Sequence, residues 1–311
     1  LVCAAGEGID AVADSLRTEQ TGLRACDLEW LGFETFIGRV AGVENRPVRG
    51  DLSDFDCRNN RLAQMGFEAD GFAAAVARAA AHYGSHRVAV VLGTSTSGIQ
   101  STELAYREID PLSGALPDWF HLEKTHSYFS LADFARRWLG LSGPAHIVAT
   151  ACSSSSKTIV DAAQMIQLGL CDAAVVGGVD SLCRLTIHGF AALSLLDRGA
   201  CKPNDLNRAG INIGEAAGFA LIERSAGADG GRVLGSILGW GESSDAYHMS
   251  TPDPDGRGAE AAMRSALSRA SLEPDAIDYI SLHGTGTVIN DKVENVAVER
   301  VFGTGTPASS T

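Results

Sequence analysis

The sequence predicts an α/β fold in two halves, on three observations. Short apolar runs with strand character alternate with helical stretches along 311 residues. Those runs are continuous rather than alternating, as strands covered on both faces require. A small-residue stretch, Ser-Ala-Gly-Ala-Asp-Gly-Gly at 225–231, divides the chain.

Residues 87–93, 144–150, 172–179, 218–224, 232–239 and 277–283 read as buried strands. Residues 62–82, 154–168, 258–271 and 291–302 read as helices. Ser-Leu-Glu-Pro-Asp at 271–275 closes one helix before the next strand. The seam gives a half at 1–224 and a second at 225–311. Each half delivers a reactive residue at a strand's C-terminal end, Thr150 leading into Cys152 and Ile280 into His283. In open α/β sheets that edge is where ligands bind.

Composition sets the outer limits. Hydrophobic residues make up 45% and charged residues 20%, a globular balance with enough length for a sizeable core. The formal charge of −13 argues against general affinity for nucleic acid or an anionic membrane. Seven cysteines, at 3, 26, 57, 152, 171, 183 and 201, form no C-x-x-C pair, which suits a reducing compartment better than a disulfide framework or a zinc site. No apolar run approaches a membrane span, and the first residues lack the basic start of a secretory signal. A cytoplasmic protein is expected.

Cys152, in Ile-Val-Ala-Thr-Ala-Cys-Ser-Ser-Ser-Ser (147–156), stands between a strand and a helix. Unbonded N–H groups and the helix dipole favour negative charge there, hence a thiolate nucleophile and a place for an oxyanion. The other reading of the position is a buried structural cysteine. Residues 153–156 read as capping and solvating the turn. In the second strong segment, Ser281-Leu-His-Gly-Thr-Gly-Thr-Val-Ile-Asn-Asp-Lys-Val-Glu294, His283 ends a strand and Asn290 or Asp291 caps the next helix. Gly-Thr-Gly is too short to read as a phosphate cradle, and Gly93-Thr-Ser-Thr-Ser-Gly98 is a weak signal for one.

Together these segments resemble the elongating β-ketoacyl-acyl-carrier-protein synthases (ketosynthase I/II type) of the thiolase superfamily. Thr150-Ala-Cys-Ser-Ser-Ser is similar to that family's nucleophile turn, and His283-Gly-Thr-Gly-Thr-(x)2-Asn290-Asp291-(x)2-Glu294 to its first-histidine motif. Lys202-Pro-Asn-Asp-Leu-Asn-Arg-Ala-Gly-(x)3-Gly214-Glu215-Ala-Ala-Gly is similar to its intervening loop, with Asn204 where the family carries an aromatic. Leu92-Gly-Thr-Ser-Thr-Ser-Gly fits the strand end before the nucleophile.

The resemblance implies a thiolase-like fold of layered α-β-α-β-α, with neither cofactor nor metal. It implies that Cys152 takes an acyl group as a thioester, and that malonyl-acyl-carrier protein then loses carbon dioxide and attacks it. Such chemistry serves fatty-acid or polyketide-type synthesis, aryl polyenes included. His283 would be one of two histidines that hold the malonyl thioester oxygen, in a setting dry enough to keep it a neutral donor. Asp291 and Glu294 would support it.

The family's second histidine and a lysine lie beyond Thr311, so the sequence is expected to be part of a longer protein. Glu294, which pairs with that lysine in the family, is expected to stand without a partner. Arg58 and Arg61 lie where related synthases meet the acidic carrier protein, or else form a solvated pair at a helix start. A homodimer, or a heterodimer with a ketosynthase-like chain, is expected. The competing readings are a thiolase, whose flanking motifs differ, and a non-catalytic chain-length-factor-like subunit, which typically lacks the cysteine.

Overall fold

The computed structural model describes residues 1–224 and 233–310, so the seam expected at 225–231 lies outside the described residues. The chain forms two compact units. The first takes Leu1–Arg24, Ile37–Gly189 and the described residues from Ile213 to Arg224; the second takes Ala25–Phe36, Phe190–Asn212 and the described residues from Val233 onward.

A six-stranded sheet organises the first unit. Its order is Gly6–Glu7, Val2–Cys3, Ala216–Glu223, Ala173–Asp180, Val88–Gly93, Ala145–Val148. Val88–Gly93 runs parallel to both its neighbours, with Val90 opposite Val175 and Ala145. Ala173–Asp180 and Ala216–Glu223 are antiparallel, so the sheet is mixed.

The continuous apolar strands are explained by burial on both faces. Val88, Val90, Leu92 and Val175 join a large cluster with Leu62, Met65, Val76 and Leu131 from the helices Arg58–Glu68, Phe72–Tyr83 and Phe129–Trp138. Ala89, Val91, Ala174 and Val176 face the opposite way, onto Ala162 and Ile166 of the helix Ser154–Gln167. Each fully buried Val or Leu contributes about 1.5–3 kcal/mol from removal of apolar surface from water.

Several expected elements differ from those observed. The helix expected at 62–82 is two, broken at Asp70 and Gly71, whose φ of 57° and 67° no right-handed helix accommodates. The Asp70 carboxylate there accepts the Ile9 N–H at 2.9 Å. The strand expected at 144–150 is shorter, Ala145–Val148, because the chain turns toward Cys152.

In the second unit, the helices Arg257–Ala270 and Val288–Phe302 accompany a parallel pair, Ile280–Ser281 with Ala308–Ser309. Only these two residues of the expected 277–283 run form a strand. The strand expected at 232–239 is not formed over 233–239. An apolar run becomes a strand only beside a ladder partner; this one instead comes close to Arg257–Ala270, where a Cβ on Gly239 would lie 2.4 Å from the Ala266 carbonyl oxygen. No described helix is long and apolar enough to cross a membrane.

Candidate active site

The nucleophile turn belongs to the first unit. Ala151 has φ +54°, a left-handed conformation that turns the chain sharply after the strand Ala145–Val148. Ala151–Ser153 form one 3₁₀ turn, which leads directly into the helix Ser154–Gln167. Cys152 sits at the centre of that turn and is exposed. The buried alternative for this cysteine is therefore not the one observed.

Serine hydroxyls fix the turn. Ser154 Oγ accepts the Thr150 N–H at 2.9 Å and donates to the Ala151 carbonyl at 2.7 Å. Ser153 Oγ donates to the Thr150 carbonyl at 2.9 Å. Ser154 is buried rather than solvated. Glycines at two parallel strand ends admit the helix start: a Cβ on Gly93 would come within 2.9 Å of Ser154, and one on Gly178 within 2.2 Å of Ser155 Oγ. Thr158 Oγ1 completes the attachment, accepting the Gly177 N–H at 3.1 Å while donating to the Ser155 carbonyl at 2.6 Å.

The loop after Gly93 is held by Asp180, at the end of the neighbouring strand. One Asp180 oxygen accepts the N–H groups of Ser95 and Thr96 at 2.7 and 3.0 Å and the hydroxyls of Thr94 and Thr96 at 3.1 and 3.0 Å. The Ser97 N–H goes to Thr94 Oγ1 at 3.0 Å. With its N–H groups turned inward, this glycine-flanked segment is a braced strand end, not an anion cradle.

Arg58 is not placed as a docking residue. Its side chain is 9% exposed, and its guanidinium holds the fully buried Glu215 carboxylate at two points, 2.7 and 2.6 Å, and Glu44 at 2.7 Å. Glu215 also accepts the Val40 and Leu182 N–H groups at 3.0 and 3.1 Å, so it has four donors in all. A charge committed inside the fold is not available to an approaching carrier protein. Burial alone raises the Glu44 carboxyl, but hydrogen bonds from Arg39 and Arg58 prevail and hold it at about 2. Arg61 pairs at two points with Asp56, at 2.7 and 2.6 Å, and keeps a quarter of its side chain exposed.

The histidine loop belongs to the second unit. His283 follows the strand Ile280–Ser281 and is exposed, so this chain by itself does not supply the dry setting expected for it. Glu294, expected without a partner, has two: its carboxylate accepts the His283 N–H at 2.7 Å and the Gly284 N–H at 2.8 Å. The helix that carries it starts at Val288 with Thr287 at the cap position, one turn earlier than Asn290 or Asp291 would place it. Asp291 lies in the first helical turn and is buried. It accepts the Gly286 N–H at 3.1 Å and the Asn204 N–H at 2.8 Å, and Arg208 lies 3.5 Å away.

The backbone at Asn204 explains why an aromatic does not stand there. Its φ of +61° lies in the left-handed region, where Asn is favoured over bulky residues, and its side-chain oxygen accepts Asn295 Nδ2 at 3.0 Å. Burial pushes the Cys57 thiol up to about 12, and it also raises those of Cys171 and Cys183. The roles of Glu215, Asp180 and Thr158 do not follow from sequence pattern; for the two acids the signal is a carboxylate at the edge of an apolar strand, which must find donors.

The Beta-ketoacyl synthase, N-terminal domain family model matches residues 35–228, and the Beta-ketoacyl synthase, C-terminal domain model matches residues 234–311. The chain is 36% identical over 222 residues to the Nodulation protein E of Rhizobium leguminosarum bv. trifolii, covering 70% of this chain and 55% of that protein. It is 41% identical over 173 residues to the 3-oxoacyl-[acyl-carrier-protein] synthase 2 of Rhizobium meliloti (strain 1021), covering 52% and 41%. The chain thus spans about half the length of the curated relatives it matches. Among solved structures, a ketosynthase in complex with its chain length factor from Xenorhabdus doucetiae superposes with a TM-score of 0.86 at 37% identity, covering 99% of this chain and 76% of that one. The fold is thiolase-like, as the sequence motifs implied. The chain belongs to the beta-ketoacyl synthase family.

Proposed function

We propose that the protein is a β-ketoacyl synthase of fatty-acid or polyketide-type synthesis. The exposed Cys152 at the start of a helix is the observation that carries this reading. The Cys152 sulfur attacks an acyl thioester on a carrier protein; the carrier thiol leaves and the acyl group stays on Cys152. A malonyl thioester then loses carbon dioxide, and the electron pair of the broken C–C bond forms an enolate. His283 donates to the enolate oxygen as charge develops there. The enolate carbon attacks the Cys152 thioester, the thiolate leaves, and a 3-oxoacyl group remains on the carrier.

Glu294 and Asp291 support this step by fixing the backbone around His283. The partners are an acyl carrier protein and a second ketosynthase-like chain, identical or not, in the cytoplasm. Carrier docking falls to Arg61 rather than to Arg58, because part of Arg61 reaches solvent. The two halves meet in sequence at 224 and 225, although the stretches Ala25–Phe36 and Phe190–Asn212 of the first half belong to the second compact unit.

The test mixes the protein with acyl- and malonyl-carrier proteins. Formation of a 3-oxoacyl carrier, abolished in Cys152→Ala and reduced in His283→Ala, is expected. Undiminished product from Cys152→Ala would overturn the proposal.

A further inference from the structure

We propose that Ser154 is a positioning residue for the Cys152 thiol. The inference deepens the reading of Cys152 as nucleophile and rests on it. The turn that presents Cys152 depends on Ala151 at φ +54°, a conformation that a residue with a Cβ adopts only at a cost. Something must hold it there. The Ser154 hydroxyl spans that residue: it accepts the N–H of Thr150 at 2.9 Å on one side and donates to the carbonyl of Ala151 at 2.7 Å on the other. One oxygen, used once as acceptor and once as donor, thereby closes a ring around the left-handed position.

Ser154 is itself fixed. It is 4% exposed, and the absence of a side chain at Gly93 lets it seat against the strand end, where a Cβ would lie 2.9 Å from it. Position 154 therefore needs a small side chain with a hydroxyl, whereas the neighbouring hydroxyl of Ser153, which reaches Thr150 alone, is exposed. Ser154 makes no bond in the proposed reaction. It acts by keeping the Cys152 backbone, and so its sulfur, at the helix start.

The experiment is alkylation of Cys152 by iodoacetamide across a pH series, read on the Cys152 peptide by mass, beside the thermal midpoint of each variant. Ser154→Ala is expected to lower the Cys152 rate constant by about tenfold, the worth of one hydroxyl's paired hydrogen bonds, and to move its pH profile. Ser154→Thr, which keeps the hydroxyl, is expected to restore both, and Ser153→Ala to change them far less. A folded Ser154→Ala protein with the wild-type rate and profile would overturn the proposal. Should the alanine variant fail to fold, the threonine variant decides: a native rate supports it, and a lost rate with native thermal midpoint overturns it. Wild-type protein that alkylates at Cys152 yet takes no acyl group would defeat the synthase reading and leave the Ser154 result standing.

Discussion

Arg58 and Glu215 form a two-point guanidinium–carboxylate pair, Nε to Oε2 at 2.7 Å and Nη2 to Oε1 at 2.6 Å, with Arg58 9% exposed and Glu215 wholly buried. Because Glu215 also takes the Val40 and Leu182 N–H groups, one carboxylate ties three segments of the first unit together. Removing one partner of such a pair strands the other's charge. Arg58→Ala is expected to lower unfolding stability by about 3–5 kcal/mol in urea titration. A variant as stable as wild type, with a raised KM for carrier-bound substrate, would restore Arg58 to the docking role.

Glu44 gives this network a pH dependence. Its carboxyl is held at about 2 against an ordinary 4.5, by hydrogen bonds from Arg39 and Arg58 that outweigh burial. A depressed folded value contributes stability that is complete above 4.5 and is lost as pH falls toward 2. Glu44→Gln is therefore expected to be less stable than wild type at neutral pH, with the gap closing across that acid window. A gap that stays constant down to pH 2 would contradict the assignment.

Glu294 fixes the histidine loop through the N–H groups of His283 and Gly284. Glu294→Ala removes two charge-assisted hydrogen bonds and is expected to slow condensation by about tenfold or more. Acyl loading of Cys152 should hold at its wild-type rate. An equal loss in both half-reactions would mean general unfolding rather than a loosened loop.

Thiol accessibility separates the cysteines. Burial pushes the Cys57 thiol up to about 12 and raises Cys171 and Cys183, whereas Cys152 is exposed. Brief alkylation of the native protein should label Cys152 ahead of these three. Equal labelling of Cys57 would show that the helix start Arg58–Glu68 opens in solution.

The sheet was legible in sequence where both faces are buried, because nothing but an unbroken apolar run satisfies two opposed cores, as in Val88–Gly93 and Ala173–Asp180. The same logic misread 233–239, since apolar character does not provide a ladder partner. The break at Asp70-Gly71 hid inside an amphipathic stretch, because helical periodicity outweighed a dipeptide that favours left-handed backbone. The placements of Cys152 and of His283, each next to its own strand end, followed from local pattern. The partners of Glu215 and Asp180 did not, since hydrogen bonds from Arg58 to residue 215, or from Thr94 to residue 180, join segments far apart in the chain.

The central claim is that the Cys152 sulfur carries the acyl group. The most direct measurement incubates the protein with an acyl-carrier-protein thioester, digests it, and weighs the peptide containing Cys152. The account predicts that this peptide gains the mass of the acyl group less one hydrogen, and that a malonyl carrier added before digestion removes it. A correctly folded protein whose Cys152 peptide stays unmodified would contradict the account and favour a non-catalytic partner subunit.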